Sequence, residues 1–465
     1  MFVSLETGRK TLVNFLGKRE VILALALFFM LSGCGVDNSI DPAVEPTPVE
    51  TSPETGADDG DGASEEPAPE EEGSDESSSE EPPPADEPSE PSEFTQTSMI
   101  NNIGENVIGP NYVALAEAAT NFASASGALA GYCDAIGGGG EAAALSEAKS
   151  GWQDLMSKVQ AVEMHPIGPA AENEGFLRHR INSYASGPLS PCGIDQSAAS
   201  VDDPNFDITS RSLNQRGVGA IEYLLYEETL LHRCSAGNPI VEGWNDLGET
   251  DRKRDRCLAA QLIAEDLAGA AALTRDRWSE YLSEFSSESN VGASTQLMTD
   301  AFFVLDKLVK DQKLGLPLGI NPTCRLITCP DSIESEYSLN SLVNVRDNLV
   351  SFRNLFSGAA GQGFDDFIRA EGFPEVSERM LRNADNAISI ANSLTGSLAE
   401  ESSRITSSAE ETACSNAFAS PDSASSDYGA CRLAGAVKRV TDDLKIDFVT
   451  ITGTNIPEGA QSDND

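Results

Sequence analysis

Few residues of this chain could do chemistry, and Glu222 is the acid most out of place among them. It stands in the run 215–227, QRGVGAIEYLLYE, whose neighbouring positions are mostly apolar. At helical spacing Val218, Ile221 and Leu225 share a face with Leu224 beside them, and Glu222 borders that face. A carboxylate there must be paired, hydrogen-bonded or protonated, because an isolated buried charge is costly. The chain has three histidines, His165, His179 and His232. No His-Glu-x-x-His pair occurs, so a zincin-type centre is absent, and a catalytic zinc would have to lean on carboxylates. Carboxylate-rich sites suit harder ions or iron better than zinc. His179 lies between Arg178 and Arg180, a poor place for a cation, and His232 sits beside Arg233 and Cys234, near a helix end. No nucleophile-elbow motif supports a serine triad. No phosphate loop or dinucleotide fingerprint occurs, and the Gly137–Gly140 run reads as a helix–helix connection.

The elements that must position these groups read as helices almost throughout. Ala-rich amphipathic runs cover about 111–130, 141–163, 216–231, 251–286, 294–313, 338–356, 376–397 and 427–445, separated by clusters such as Gly187-Pro188 and Ser286–Gly292. Alternation of β-branched residues is confined to a short tail at Phe448–Ile451. This pattern predicts an all-α protein. A weak boundary near 287–293 divides the domain 101–465 into two packed helical-bundle halves, about 101–288 and 293–465.

Residues 1–33 read as an export signal. Arg9, Lys10, Lys18 and Arg19 precede the apolar run VILALALFFML at 21–31, which is too short for a spanning helix. The run ends in Leu31-Ser32-Gly33-Cys34, which resembles the bacterial lipobox, with Cys34 as the lipidated first residue of the mature chain. Gly35 in place of Asp resembles lipoproteins sorted to the outer membrane, on its periplasmic or surface face. From 34 to 100 follows a Pro/Ser/Glu tether. Residues 41–100 hold twenty Asp and Glu and no Lys or Arg, and so carry −20 of the formal −44. Such a stretch has too little apolar surface to offset its ordering entropy, and reads as a disordered spacer lifting the domain off a membrane. Residues 101–465 carry a further −25, which argues against nucleic acid as a partner.

Of nine cysteines, eight remain once Cys34 is lipidated: Cys133, Cys192, Cys234, Cys257, Cys324, Cys329, Cys414 and Cys431. An even count in an exported chain implies disulfides, with about 105 possible pairings. Sequence proximity favours Cys324–Cys329, Cys234–Cys257, Cys414–Cys431 and, by elimination, Cys133–Cys192. A zinc site at Cys324 and Cys329 lacks a second pair at zinc spacing.

The segment GVGAIEYLL resembles the Gly-x-His-x-x-Glu signature of the imelysin family, catalogued as M75 peptidases and linked to bacterial iron uptake. Gly217 and Glu222 match, but Gly219 stands at the His position. Further matches are Gly151-Trp152-Gln153 with Glu163 and Ile167-Gly168-Pro169, then Arg180-Ile181-Asn182, Asp266-Leu267 with Trp278, and ESEYS at 334–338. Asn348-Leu349, LFSG at 355–358, Pro457-Glu458-Gly459 and the close Asp463-Asn464-Asp465 complete them. The resemblance implies two four-helix-bundle halves with a cleft near the signature helix, and a cell-envelope location. It also implies Glu222 and Glu163 as candidate cleft carboxylates for a divalent metal or iron. His165, turned away from the helix by Pro166, is the nearest substitute for the missing imidazole.

Three functions stay open at this level: a non-catalytic metal-binding or iron-uptake envelope lipoprotein, an M75-type metallopeptidase, and a structural lipoprotein with an envelope protein partner. With Gly219 at the His position, catalysis is doubtful. On residues alone, Glu222 could instead bridge to Arg180 or Arg216, Glu163 could face solvent at a helix end, and His165 could be a cap or surface residue. The anchor is directly testable. Cys34→Ala should move the protein from the membrane to the soluble fraction on cell fractionation, and a variant that stays membrane-bound through a high-salt wash would refute lipidation at Cys34.

Overall fold

The computed structural model describes residues 93–423 and 427–461. The expected signal peptide 1–33, Cys34, the tether up to residue 92 and the closing Asp463–Asp465 lie outside the described residues. Helical structure starts earlier than the expected domain boundary at 101. Thr95 accepts from the Ser98 amide at 3.0 Å and Ser98 Oγ accepts from the Thr95 amide, a capping box that opens a helix at Gln96.

The first helices are α1 (Gln96–Ile103), α2 (Gly109–Ala123), α3 (Ala128–Ala135), α4 (Glu141–Glu163) and α5 (Glu172–Ile181). Then come α6 (Pro191–Ala198), α7 (Val218–Tyr226), α8 (Glu249–Phe285) and α9 (Val291–Phe302). The remainder are α10 (Ser341–Ser357), α11 (Phe364–Ala370), α12 (Pro374–Ser393), α13 (Leu398–Ser403), α14 (Ser408–Ala419), α15 (Gly429–Asp443) and α16 (Val449–Thr452). Among the described residues there is no strand, so the chain is all-α as its periodicity predicts.

The 37-residue α8 runs through the core. Ala259, Ala260, Ala264, Ala270 and Ala271 are buried along it, and their small side chains let α2 and α7 lie close against its backbone. By length and hydropathy α8 could cross a membrane, but it is packed here as a core helix. A ring cluster forms another part of the same core. Phe302 lies 5.4 Å from Phe352, 5.0 Å from Phe364 and 5.6 Å from Phe448 between ring centroids, mostly edge-on. This cluster corrects the expected strand-like tail. Residues 444–448 wind as a π-turn and α16 follows, because the buried Phe448 is needed among the rings and the helix carries it there.

Residues Leu305–Gly315 also wind as a π-helix. Wider turns of this kind re-aim side chains relative to an α-helix. Here the fully buried Asp306 draws Lys310 to 3.0 Å and Lys445 of the second π-turn to 3.1 Å. The same segment carries Lys313 inward. Across from it, α10 is stapled to α4: Ser351 Oγ donates to the Ala161 carbonyl at 2.7 Å and Asn348 Nδ2 to that of Gln160 at 2.9 Å.

All eight described cysteines are in disulfides. Cys324–Cys329 and Cys414–Cys431 pair as expected, and so no thiolate pair remains for zinc. The other two expected pairings, Cys234–Cys257 and Cys133–Cys192, are exchanged. The bonds are Cys133–Cys257 and Cys192–Cys234. Proximity in sequence misled because α3 packs on α8 and brings Cys133 to Cys257, while the chain after α7 folds back on α6. These bridges close very different loops, of 124 and 5 residues for Cys133–Cys257 and Cys324–Cys329. Loop-closure entropy then sets the order of their effects. Removing the first by a double Ser substitution should cost roughly 5 kcal/mol of unfolding free energy in urea titrations, and removing the second roughly 2 kcal/mol. Equal losses would mean that strain or residual structure, not loop length, governs them.

Candidate functional site

The signature helix α7 begins where the backbone is crowded. Gly217 adopts φ +83°, and a Cβ there would meet the Arg180 and Ile181 carbonyls at 2.9 Å. One residue later the Val218 carbonyl accepts from Trp152 Nε1 of α4 at 2.9 Å. At Gly219 a Cβ would lie 2.7 Å from the Tyr184 ring, 2.8 Å from Ser183 Oγ and 3.0 Å from Leu189, while its amide donates to Ser183 Oγ. Gly219 is therefore a contact between α7 and the 183–189 stretch and not open cleft. An imidazole at 219 would overlap these atoms, so the missing histidine follows from close packing.

Glu222 is fully buried one turn on. Its Oε2 accepts from the Tyr184 hydroxyl at 2.7 Å, and its Oε1 accepts from the amide and hydroxyl of Ser338 at 2.9 and 2.8 Å. Burial pushes this carboxyl up to about 7, against the pull of the hydrogen bonds from Ser338 and Tyr184. The expected ion pair with Arg180 or Arg216 is not formed. Both guanidinium groups go to Asp266, at 2.5 and 3.2 Å, a partner that α8 presents between them.

Glu163 does not face solvent either. It is 4 % exposed at the end of α4, with Asn182 donating to its Oε1 at 2.9 Å. Its Oε2 receives the Lys313 ammonium at 2.5 Å and Asn348 Nδ2 at 3.2 Å. Lys313 also reaches Gln160 Oε1 at 2.5 Å, Asn348 Oδ1 at 3.0 Å and Glu334 Oε2 at 2.7 Å. Burial alone would lower the Lys313 value, but Glu163 and Glu334 outweigh it and hold the ammonium above the ordinary lysine range. Glu334 is itself raised by burial, with Lys313 pulling the other way.

His165, expected at a surface or beside the carboxylates, is buried elsewhere. Its ring stands edge-on to Tyr112 with centroids 4.9 Å apart, and its Nε2 is 3.2 Å from Asn111 Nδ2. Burial lowers its value to about 3, so the imidazole stays neutral. His179 sits against Arg178, and the His232 ring accepts from the Cys234 amide, both away from the carboxylates as their neighbours implied.

A cleft of about 330 Å³ opens beside this network. Glu163, Lys313 and Glu334 line its floor, Tyr184 and Tyr337 its sides, and Leu189, Leu308 and Leu316 its apolar wall. Glu222 is held behind Tyr184 and is not part of the lining, nor is His165. Glu222, Glu163 and His165 are thus not brought together, and no cluster of three or more His, Cys, Asp or Glu able to hold a metal occurs among the described residues. The donor set does not fit a metal: each buried carboxylate is already committed to protein donors. Sequence reasoning missed Lys313 and Gln160 altogether. Glu334, Ser338, Asn182 and Asn348 all lie in segments it singled out, but nothing there marked those side chains as facing the site.

A sequence model of the family described as imelysin, Peptidase M75, matches residues 108–420. Among solved structures, the chain is similar to an imelysin-like protein from Psychrobacter arcticum 273-4, at 12 % identity and TM-score 0.56, covering 78 % of this chain and 96 % of that one. It is also similar to a protein from Parabacteroides distasonis ATCC 8503 described as an iron-regulated protein A precursor, at 14 % identity and TM-score 0.50, covering 75 % and 95 %. No curated protein matches.

The raised Glu222 value has a consequence for stability. Its folded value near 7 lies above the ordinary 4.5, so the folded chain holds the proton more tightly than the unfolded one. The stabilisation is complete below about pH 4.5 and is lost as pH rises through 7, by on the order of 3 kcal/mol at most. Denaturant titrations at pH 5.5 and 8.5 should show the wild type weakening more than Glu222→Gln does. An equal pH response in both would place the titration elsewhere.

Proposed function

From the premise that the chain belongs to the imelysin family, we propose that it is a non-catalytic envelope lipoprotein. Its interhelical cleft binds a ligand in the service of iron uptake. The observation that supports binding over catalysis is the state of the cleft floor. Glu163 and Glu334 are both held by Lys313, Glu222 is held by Tyr184 and Ser338, and the one nearby imidazole points into the core. None of these buried groups is left as a free general base, and among the described residues no donor set stands open for an activating metal.

The mouth and floor carry Glu163, Asp331, Glu334 and Glu336 against Lys313, with Tyr184 and Tyr337 alongside. Such a lining favours an organic molecule or chelate bearing positive charge over a bare metal ion. The iron part of the reading draws on the likeness to the protein described as iron-regulated. The envelope location and the outer-membrane anchor at Cys34 draw on the export signal and lipobox. The peptidase alternative has only the family's catalogue name in its favour.

Two measurements test this reading together. Deleting the gene should lower radioiron accumulation by iron-starved cells, and the purified mature chain should show no chelator-sensitive hydrolysis of casein. Normal accumulation in the deletion strain, or robust chelator-sensitive proteolysis, would overturn it.

A further inference from the structure

The cleft floor has the oxygen composition of a divalent-cation site, yet a cation of the chain's own fills it. Four oxygens converge on Lys313 Nζ: Glu163 Oε2 and Gln160 Oε1 at 2.5 Å, Glu334 Oε2 at 2.7 Å and Asn348 Oδ1 at 3.0 Å. Two carboxylates and two amide oxygens make the hard donor set that calcium, magnesium or manganese prefers. Gln160, Glu163 and Asn348 take the three N–H bonds, Glu334 Oε2 is an ion-pair contact, and all four separations exceed magnesium–oxygen bond lengths. We propose that the Lys313 ammonium is the permanent cation of this cage, and that it excludes a metal ion and makes the cleft metal-independent.

Three features support the assignment. First, Lys313 is 5 % exposed and Glu163 and Glu334 are 4 % and 8 % exposed, so bulk water screens their charges little. Second, the cage draws on three separate stretches. Gln160 and Glu163 come from the last turns of α4, Glu334 precedes α10 and Asn348 lies within it, so a central cation is what joins them. Third, the cation is delivered by the π-helix 305–315, whose buried Asp306 ties the other end of the segment to Lys310 and Lys445. Among the residues lining the cleft, Lys313 is the sole base. An ion and the ammonium cannot both sit within contact distance of Glu163 Oε2. Without the ammonium, two buried carboxylates would face each other uncompensated, a state relieved by a divalent cation or a proton.

The experiment uses the full mature chain, stripped with chelator, and reads thermal midpoint and elemental content with and without manganese(II). Wild type should keep one midpoint in chelator and in manganese and hold no stoichiometric metal. Lys313→Ala should melt lower in chelator and gain about 3–5 °C at a hundredfold excess of manganese over Kd. The gain should disappear in Lys313→Ala combined with Glu163→Gln. If Lys313→Ala fails to fold in chelator, refolding with manganese should recover it. A Lys313→Ala chain that is indifferent to manganese, calcium and magnesium, or that none of them rescues, overturns the proposal. So does a wild type that binds one metal per chain and loses it on Glu163→Gln. These readouts do not depend on iron accumulation by cells, so the proposal can fail or stand apart from the functional reading above.

Discussion

An ammonium and two carboxylates buried in contact impose the constraint on which the rest of the site depends. Lys313 between Glu163 and Glu334 still leaves one negative charge in excess. The surrounding amides meet it: Asn182 and Asn348 donate to Glu163, and Gln160 donates to Glu334 at 3.0 Å while accepting from Lys313. Such a network is stable only when all of its members are satisfied together. That requirement sets the end of α4, the 305–315 segment, the approach to α10 and α10 itself in one arrangement. Loss of a single partner would strand a buried charge at a cost of about 3–5 kcal/mol.

The second buried acid solves the same problem differently. Glu222 has no base within reach, because Arg180 and Arg216 are spent on Asp266. It relies instead on three neutral donors and on a protonation equilibrium shifted toward neutrality. In doing so it ties the wall carrying Tyr184 to the loop carrying Ser338. The lack of a side chain at Gly219 lets that wall approach α7 closely enough for the Tyr184 hydroxyl to reach the carboxyl. A glycine at the signature histidine position is consequently a packing device, and the chemistry that the histidine would bring is excluded by the same contact.

The π-helix links these local facts to the fold. Asp306 is fully buried and needs cationic partners, and Lys310 and Lys445 provide them. With one end of the segment held in this way, its far end presents Lys313 to the cleft. The ring cluster around Phe302 gives this part of the core its apolar bulk.

By itself the sequence determined the helical class, the positions of the longer helices and the family, because each follows from local periodicity and short motifs. It also marked Glu222 as a carboxylate in need of explanation, since an acid in an apolar helical run is visible without coordinates. Tertiary structure alone decided how each need was met. Whether Glu222 found an arginine or a tyrosine depended on which groups α8 and the 183–189 stretch brought near. The exchange of Cys133–Cys192 and Cys234–Cys257 for Cys133–Cys257 and Cys192–Cys234 has the same origin, because helix packing brings together residues far apart in the chain. Lys313 reads in sequence as one more charged residue in DKLVKDQKLG. Its partners come from positions 160, 163, 334 and 348, and a charge-neutralising contact over such separations leaves no pattern in the chain for periodicity or spacing to detect.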